Sequence, residues 1–186
     1  MPGISLIFNQ KYNEILQNVY ENINKKFGKN LLAINNELKP HITLVYINND
    51  KKDKFIKDIE SSIKTIAYKN IKYNIRVNGL GIFRKSKNYI LYFTVPYDKN
   101  LQKIHNEFWN LLKKKFELSD SDHYNPKSFT PHITIPIFKS NKTTTFKIMK
   151  ELLKLKYDFK LEVSDIAFLT GNLYYPEVYL QTPLKN

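Results

Sequence analysis

The chain has 186 residues, 42% of them hydrophobic, enough for one globular domain with a sizeable core. It holds no cysteine, so disulfides, thiolate metal sites and a cysteine nucleophile are excluded. Its formal charge of +13 is carried almost wholly by lysine, since Arg76 and Arg84 are the only arginines; it reads equally as a solvated lysine-rich surface or as a field that draws polyanions from a distance, without the bidentate fork that clamps phosphate.

Residues 5–8 read as a short apolar strand. Residues 12–27 place Ile15, Leu16, Val19, Tyr20, Ile23 and Phe27 at the spacing of one helical face, and Gly28 stops that helix. Residues 31–34 read as a short strand or turn. A strand over 40–47 follows, with Pro40 in the first position, where no ladder donor is needed. A polar turn at 48–50 leads to a second amphipathic helix over 53–68, then an alternating strand over 73–77. In Gly79-Leu80-Gly81-Ile82-Phe83 the two glycines permit a bend or bulge. A polar turn at 84–88 returns the chain as a strong strand over 89–95, ended by Pro96. A helix over about 100–116 and a polar loop at 119–128 deliver a strand beginning at Pro131, and Pro136 predicts that it lies at an edge or is bulged. Residues 141–145 cap a helix running to about 155, and strands over 159–163, 165–170 and 178–182 close the chain. The first residues lack the basic and apolar regions of a secretory signal, and no segment is long enough to span a bilayer, which predicts a soluble, cytoplasmic protein.

Within this order one wording appears twice: Pro40-His41-Ile42-Thr43-Leu44 and Pro131-His132-Ile133-Thr134-Ile135. Successive side chains of a strand point to opposite faces, so each copy presents one imidazole and one hydroxyl together while its isoleucine points to the core. The flanking elements repeat as well: apolar strand, amphipathic helix, motif strand, second amphipathic helix. The expectation is an α+β fold, a duplicated two-lobed unit in which mainly antiparallel sheets carry helices on one face and line a cleft with the other. It is read as a single domain over 1–186 with approximate halves 1–88 and 89–186, each holding one motif.

Two imidazoles facing across a cleft suit displacement at phosphorus. One neutral histidine takes a proton from the attacking oxygen and one protonated histidine gives a proton to the leaving oxygen. The hydroxyls of Thr43 and Thr134 donate to the non-bridging oxygens as charge develops there. The scheme demands no metal and no cofactor. It predicts a bell-shaped pH profile and activity that survives a chelator.

The paired apolar-His-x-Thr-apolar pattern, once in each half, resembles the two-histidine phosphoesterase superfamily, which includes 2',5' RNA ligase-like proteins, cyclic nucleotide phosphodiesterases and 2',5'-oligoadenylate phosphodiesterases. The resemblance extends to the 79–83 stretch with its returning strand, to 129–135, and to 169–180 with Gly171 and Tyr179. It implies a bilobal pseudo-twofold fold, a concave active cleft and metal-independent phosphodiester chemistry, with His41, Thr43, His132 and Thr134 matching the motif. The function expected is cleavage of RNA or a nucleotide phosphodiester, 2',5' linkages first, by a monomer; cyclic phosphates and cyclic dinucleotides are further substrates in range. The alternative is a non-catalytic RNA-binding module that uses the same basic cleft.

Other residues are weighed against plainer roles. A zinc site at His41 and His132 is disfavoured, because neither copy has His-x-His or Glu-x-x-His spacing or an adjacent carboxylate. Tyr124 and Phe129, in the loop entering the second motif, are the candidates to stack on a base; Tyr174, Tyr175 and Tyr179 rank below them. Lys39 and Lys127 flank the motifs. His105 reads as helix surface, and His123 as a loop residue with a minor chance of reaching the cleft.

Overall fold

The computed structural model describes residues 2–28, 40–48, 52–85, 88–119, 123–137, 141–154, 158–171 and 176–186. The readings at 31–34, Lys39, Tyr174 and Tyr175 lie outside them. In chain order the elements are β1 (Gly3–Phe8), α1 (Gln10–Phe27), β2 (His41–Tyr46), α2 (Lys52–Lys69), β3 (Tyr73–Val77), β4 (Gly79–Lys85), β5 (Asn88–Thr94), α3 (Lys99–Leu112), β6 (His132–Thr134), α4 (Lys142–Leu152), β7 (Phe159–Gly171) and β8 (Pro176–Pro183).

Local chemistry explains the helix limits. Asn9, Asp98 and Asn141 each turn a side-chain oxygen onto an early backbone N–H of α1, α3 and α4, as N-caps do. Gly28 ends α1 with φ +112° and donates its N–H to Asn24 O, a conformation that suits a residue without Cβ. The helix expected to reach residue 116 closes at Leu112, followed by a tight turn.

The strands form two antiparallel sheets, making the chain α+β as expected. One runs β2-β1-β7-β3, with β8 also on β7; the other runs β4-β5-β6. Val163 pairs with Phe8 on one side and Tyr73 on the other, so β3 and β8 lie end to end along the edge of β7 opposite β1. The sheets cut across the order of the sequence: the five-stranded sheet takes strands from 3–77 and 159–183, and the three-stranded sheet lies wholly within 79–134. Both motif strands, β2 and β6, are outer strands of their sheets, and they pack against each other. One hydrophobic core runs beneath both sheets, joining Ile42 and Leu44 of β2 to Ile133 and Ile135 and to helix residues such as Leu16, Ile63, Phe108 and Ile148.

Three expectations need correction. The closing strands over 159–163 and 165–170 are a single strand, β7; its polar interruption, Ser164, is a bulge that leaves Phe8 opposite Val163 and Ile7 opposite Asp165. The 79–83 stretch neither bends nor bulges, since β4 pairs with β5 in unbroken register. Its glycines make room for side chains from the neighbouring strand: a Cβ on Gly79 would lie 2.8 Å from Thr94 Oγ1, and one on Gly81 only 2.2 Å from Tyr92 Cζ. The third correction is His105, which is fully buried rather than on the helix surface.

Candidate active site

β1 and β2 build the first wall. Ser5 stands opposite Thr43 and Ile7 opposite His41, and the Ser5 hydroxyl meets Thr43 Oγ1 at 3.4 Å. The register then shifts, with Ile4 opposite Val45, so Leu44 is an extra residue on β2. The bulge reverses the alternation. Tyr46, three residues from Thr43, comes out on the face of His41 and Thr43, opposite Gly3, while Leu44 and Val45 are both fully buried.

β4, β5 and β6 build the second wall. Thr94 stands opposite His132 and Tyr92 opposite Thr134. β6 holds only three residues: Ile135 still donates to Leu91 O, and beyond Pro136 the Ile137 N–H turns back to Ile135 O at 2.9 Å. Pro136 has no N–H, so the ladder ends there, at the edge position its sequence predicted.

The walls share one detail. On each, a tyrosine ring lies across a glycine of the neighbouring strand, Tyr46 over Gly3 and Tyr92 over Gly81. Tyr92 then stacks on Phe83, with centroids 4.1 Å apart, and His123 covers the ring of Phe83 at 3.7 Å.

His132 sits inside this aromatic surround, with Phe83 edge-on at 4.8 Å, Tyr92 at 5.2 Å and Tyr124 at 6.1 Å. It is 7% exposed. Its Nδ1 lies 2.8 Å from Thr130 O; a carbonyl only accepts, so Nδ1 carries the proton and Nε2 keeps its lone pair. Burial pushes the His132 pKa down to about 4, with the charges of His123 and His41 adding to the fall and the Thr130 carbonyl opposing it. His132 is therefore neutral at physiological pH. His41 is half-buried, and its influence on His132 places the two imidazoles in one electrostatic environment. Thr43 is nearly buried and Thr134 half-buried.

The two aromatic candidates part company. Tyr124 packs edge-to-face on Tyr46 at 4.8 Å beside His132, and burial with the nearby Tyr46 phenol raises its own phenol well above the usual range. Phe129 turns away, stacked on buried His105 at 3.8 Å, and lines a cavity of about 160 Å³ beside the start of α3. Tyr179 is exposed on β8, and Lys127 is exposed in the loop. Among the described residues, no three His, Asp or Glu side chains converge as a metal ion would require, and no helix is long and apolar enough to cross a membrane.

Sequence reasoning missed Tyr46, Phe83 and Tyr92 and underrated His123. Tyr46 was hidden by the bulge. Phe83 and Tyr92 had a signal in the alternation Gly79-x-Gly81-x-Phe83, which lays two smooth positions and a ring along one face opposite Tyr92.

An α+β chain in which two outer strands each bring His-x-Thr to a shared surface has the architecture of the two-histidine phosphoesterases. The chain belongs to the 2'-5' RNA ligase superfamily, whose family model matches residues 22–173. Solved structures agree on the fold. TT0787 of Thermus thermophilus superposes with a TM-score of 0.71 at 12% identity, over 99% of this chain and 97% of that one. E. coli LigT complexed with 3'-AMP gives 0.60 at 12% identity, over 100% and 98%. The MHV ns2 PDE domain gives 0.50 at 15%, over 97% and 99%. A search of curated proteins finds no match.

Proposed function

We propose that this chain is a phosphodiesterase of RNA or small nucleotide phosphodiesters, with His132 as general base, His41 as general acid, and Thr43 and Thr134 as donors to the non-bridging oxygens. The observation that carries this reading is the setting of His132, buried among rings with Nδ1 fixed on Thr130 O, which leaves Nε2 its lone pair to accept a proton while burial lowers its pKa to about 4. The family's name and the 3'-AMP bound to LigT support a nucleotide substrate, and the net charge of +13 favours a polyanion.

A 2',5' linkage is the preferred substrate because it leaves a 3'-hydroxyl beside the phosphorus. His132 takes the proton of that hydroxyl, and the 3'-oxygen attacks phosphorus. The bond to the 5'-oxygen breaks, and His41 protonates the departing alcohol. The products are a 2',3'-cyclic phosphate and a free 5'-hydroxyl. All groups come from one two-lobed domain, and no metal or cofactor enters, so turnover should continue in chelator.

The test is a panel of 2',5'- and 3',5'-linked oligonucleotides, cyclic phosphates and cyclic dinucleotides, with products identified by mass. His41→Ala and His132→Ala should each lower turnover by about 10³-fold or more while leaving binding nearly intact. Retained turnover in both variants overturns the reading. A wild type that binds oligonucleotides and turns none over is instead an RNA-binding module.

A further inference from the structure

His105 stands in α3, one helix away from the motif strands, and is completely buried. A buried histidine needs partners, and its partners are the two ends of the segment that enters β6. Its Nε2 lies 2.9 Å from the carbonyl oxygen of Tyr124, so Nε2 carries the proton. Its Nδ1 lies 3.3 Å from Asn106 Oδ1, an oxygen that also accepts from the Gln102 side-chain N–H at 3.0 Å. Its ring lies flat on Phe129, 3.8 Å between centroids and 11° between planes. Burial lowers its pKa from the ordinary histidine value, against the Tyr124 carbonyl and the Asn106 side chain, which raise it.

Residues 123–130 form a closed loop, because Thr130 N–H donates to His123 O at 3.1 Å. His105 holds this loop one residue inside each end. The loop presents His123 to Phe83, Tyr124 to Tyr46, and the Thr130 carbonyl to His132 Nδ1. A leucine in place of His105 would leave the Tyr124 carbonyl without its donor and Phe129 without a flat ring. Phenylalanine would satisfy only the second need, and glutamine only the first. Histidine meets both at one position.

We propose that His105 is a positioning residue for the active site: by holding Tyr124 and Phe129 together it sets the Thr130 carbonyl, and through that carbonyl the tautomer and aim of His132. This rests on the proposed role of His132 as base, and the test separates the two.

The experiment compares wild type, His105→Phe and His105→Gln by ¹⁵N spectroscopy of the imidazoles alongside steady-state kinetics. In the wild type His105 should show an Nε2–H proton protected from exchange and His132 a predominant Nδ1–H tautomer. In each variant the Nδ1–H fraction of His132 should fall, its titration should move still further below that of an ordinary histidine as the Thr130 carbonyl that raises it is lost, and kcat should drop about 10- to 100-fold with KM little changed. A folded variant whose His132 keeps the wild-type tautomer and titration overturns the proposal, whatever its kcat. Should neither variant fold, the wild-type spectrum decides alone: an exposed, rapidly exchanging His105 ring overturns it. A wild type with no turnover would defeat the proposed reaction, while the spectra would still judge His105.

Discussion

The two Pro-His-Ile-Thr copies are identical in wording and unlike in setting. Around β2 the neighbours on β1 are Gly3, Ser5 and Ile7, with the Tyr46 ring on that face and His41 half-buried. Around β6 they are rings, Phe83, Tyr92 and Tyr124, and His132 is nearly sealed among them. An acid and a base need opposite protonation at one pH, and identical motifs cannot supply that difference themselves. The surroundings are where the two copies differ, and under the proposed reaction it is this difference that would give identical motifs different roles.

Three experiments sharpen or break this asymmetry. The largest effect should come from the threonines. Thr43→Val and Thr134→Val should each lower kcat about 10²-fold, the usual loss when a donor to developing oxyanion charge is removed. They should differ in stability. Thr43→Val strands the buried Ser5 hydroxyl and costs about 1 kcal/mol more, whereas Thr134, whose side chain makes no hydrogen bond among the described residues, should lose little. Equal denaturant midpoints would count against the difference.

The next effect is on acid stability. An unfolded histidine takes up its proton near 6.5, but folded His132 refuses it until about 4, so below 6.5 the unfolded chain binds more protons. The contribution is complete above 6.5 and is lost as pH falls toward about 4, on the order of 3 kcal/mol in all. His132→Gln should flatten the unfolding free energy across that window. A His132→Gln chain whose unfolding free energy keeps the wild-type slope across that window would show that the β6 setting does not shift its histidine.

The smallest effect compares the tyrosine shelves. Gly81→Ala puts Cβ 2.2 Å from Tyr92 Cζ, and that ring is held in a stack with Phe83, so a loss of about 1–3 kcal/mol is expected. Gly3→Ala meets Tyr46 at 2.9 Å and should cost less. Thermal melts rank the pair.

Much of this was legible in the sequence because it follows from period and punctuation. The helical stripes, the caps at Asn141 and Gly28, the alternation that joins His to Thr, and the edge at Pro136 are all local signals. What stayed hidden depends on register between distant strands. The extra residue at Leu44 can be seen only against Ile4 and Ser5, and it alone decides where Tyr46 points. Gly79 and Gly81 looked like a bend because a glycine reads the same whether it frees its own backbone or makes room for another strand's side chain. His105 looked exposed because its partners, Tyr124 and Phe129, come from a loop whose path no pattern fixes. The assembly of the five-stranded sheet from strands out of sequence order was equally beyond a linear reading.

Finally, the placement of both motif strands at sheet margins bears on solubility as well as catalysis. An open margin offers unpaired N–H and C=O groups to any passing strand and invites self-association. Here the margins are occupied. Residues 117–119 cover the far end of β2, with Ser119 N–H on Tyr46 O and Asn48 N–H on Glu117 O, while the Tyr20 hydroxyl reaches from α1 to Thr134 O. These contacts close backbone groups at the end of β2 and on β6 that would otherwise be free to pair with another strand.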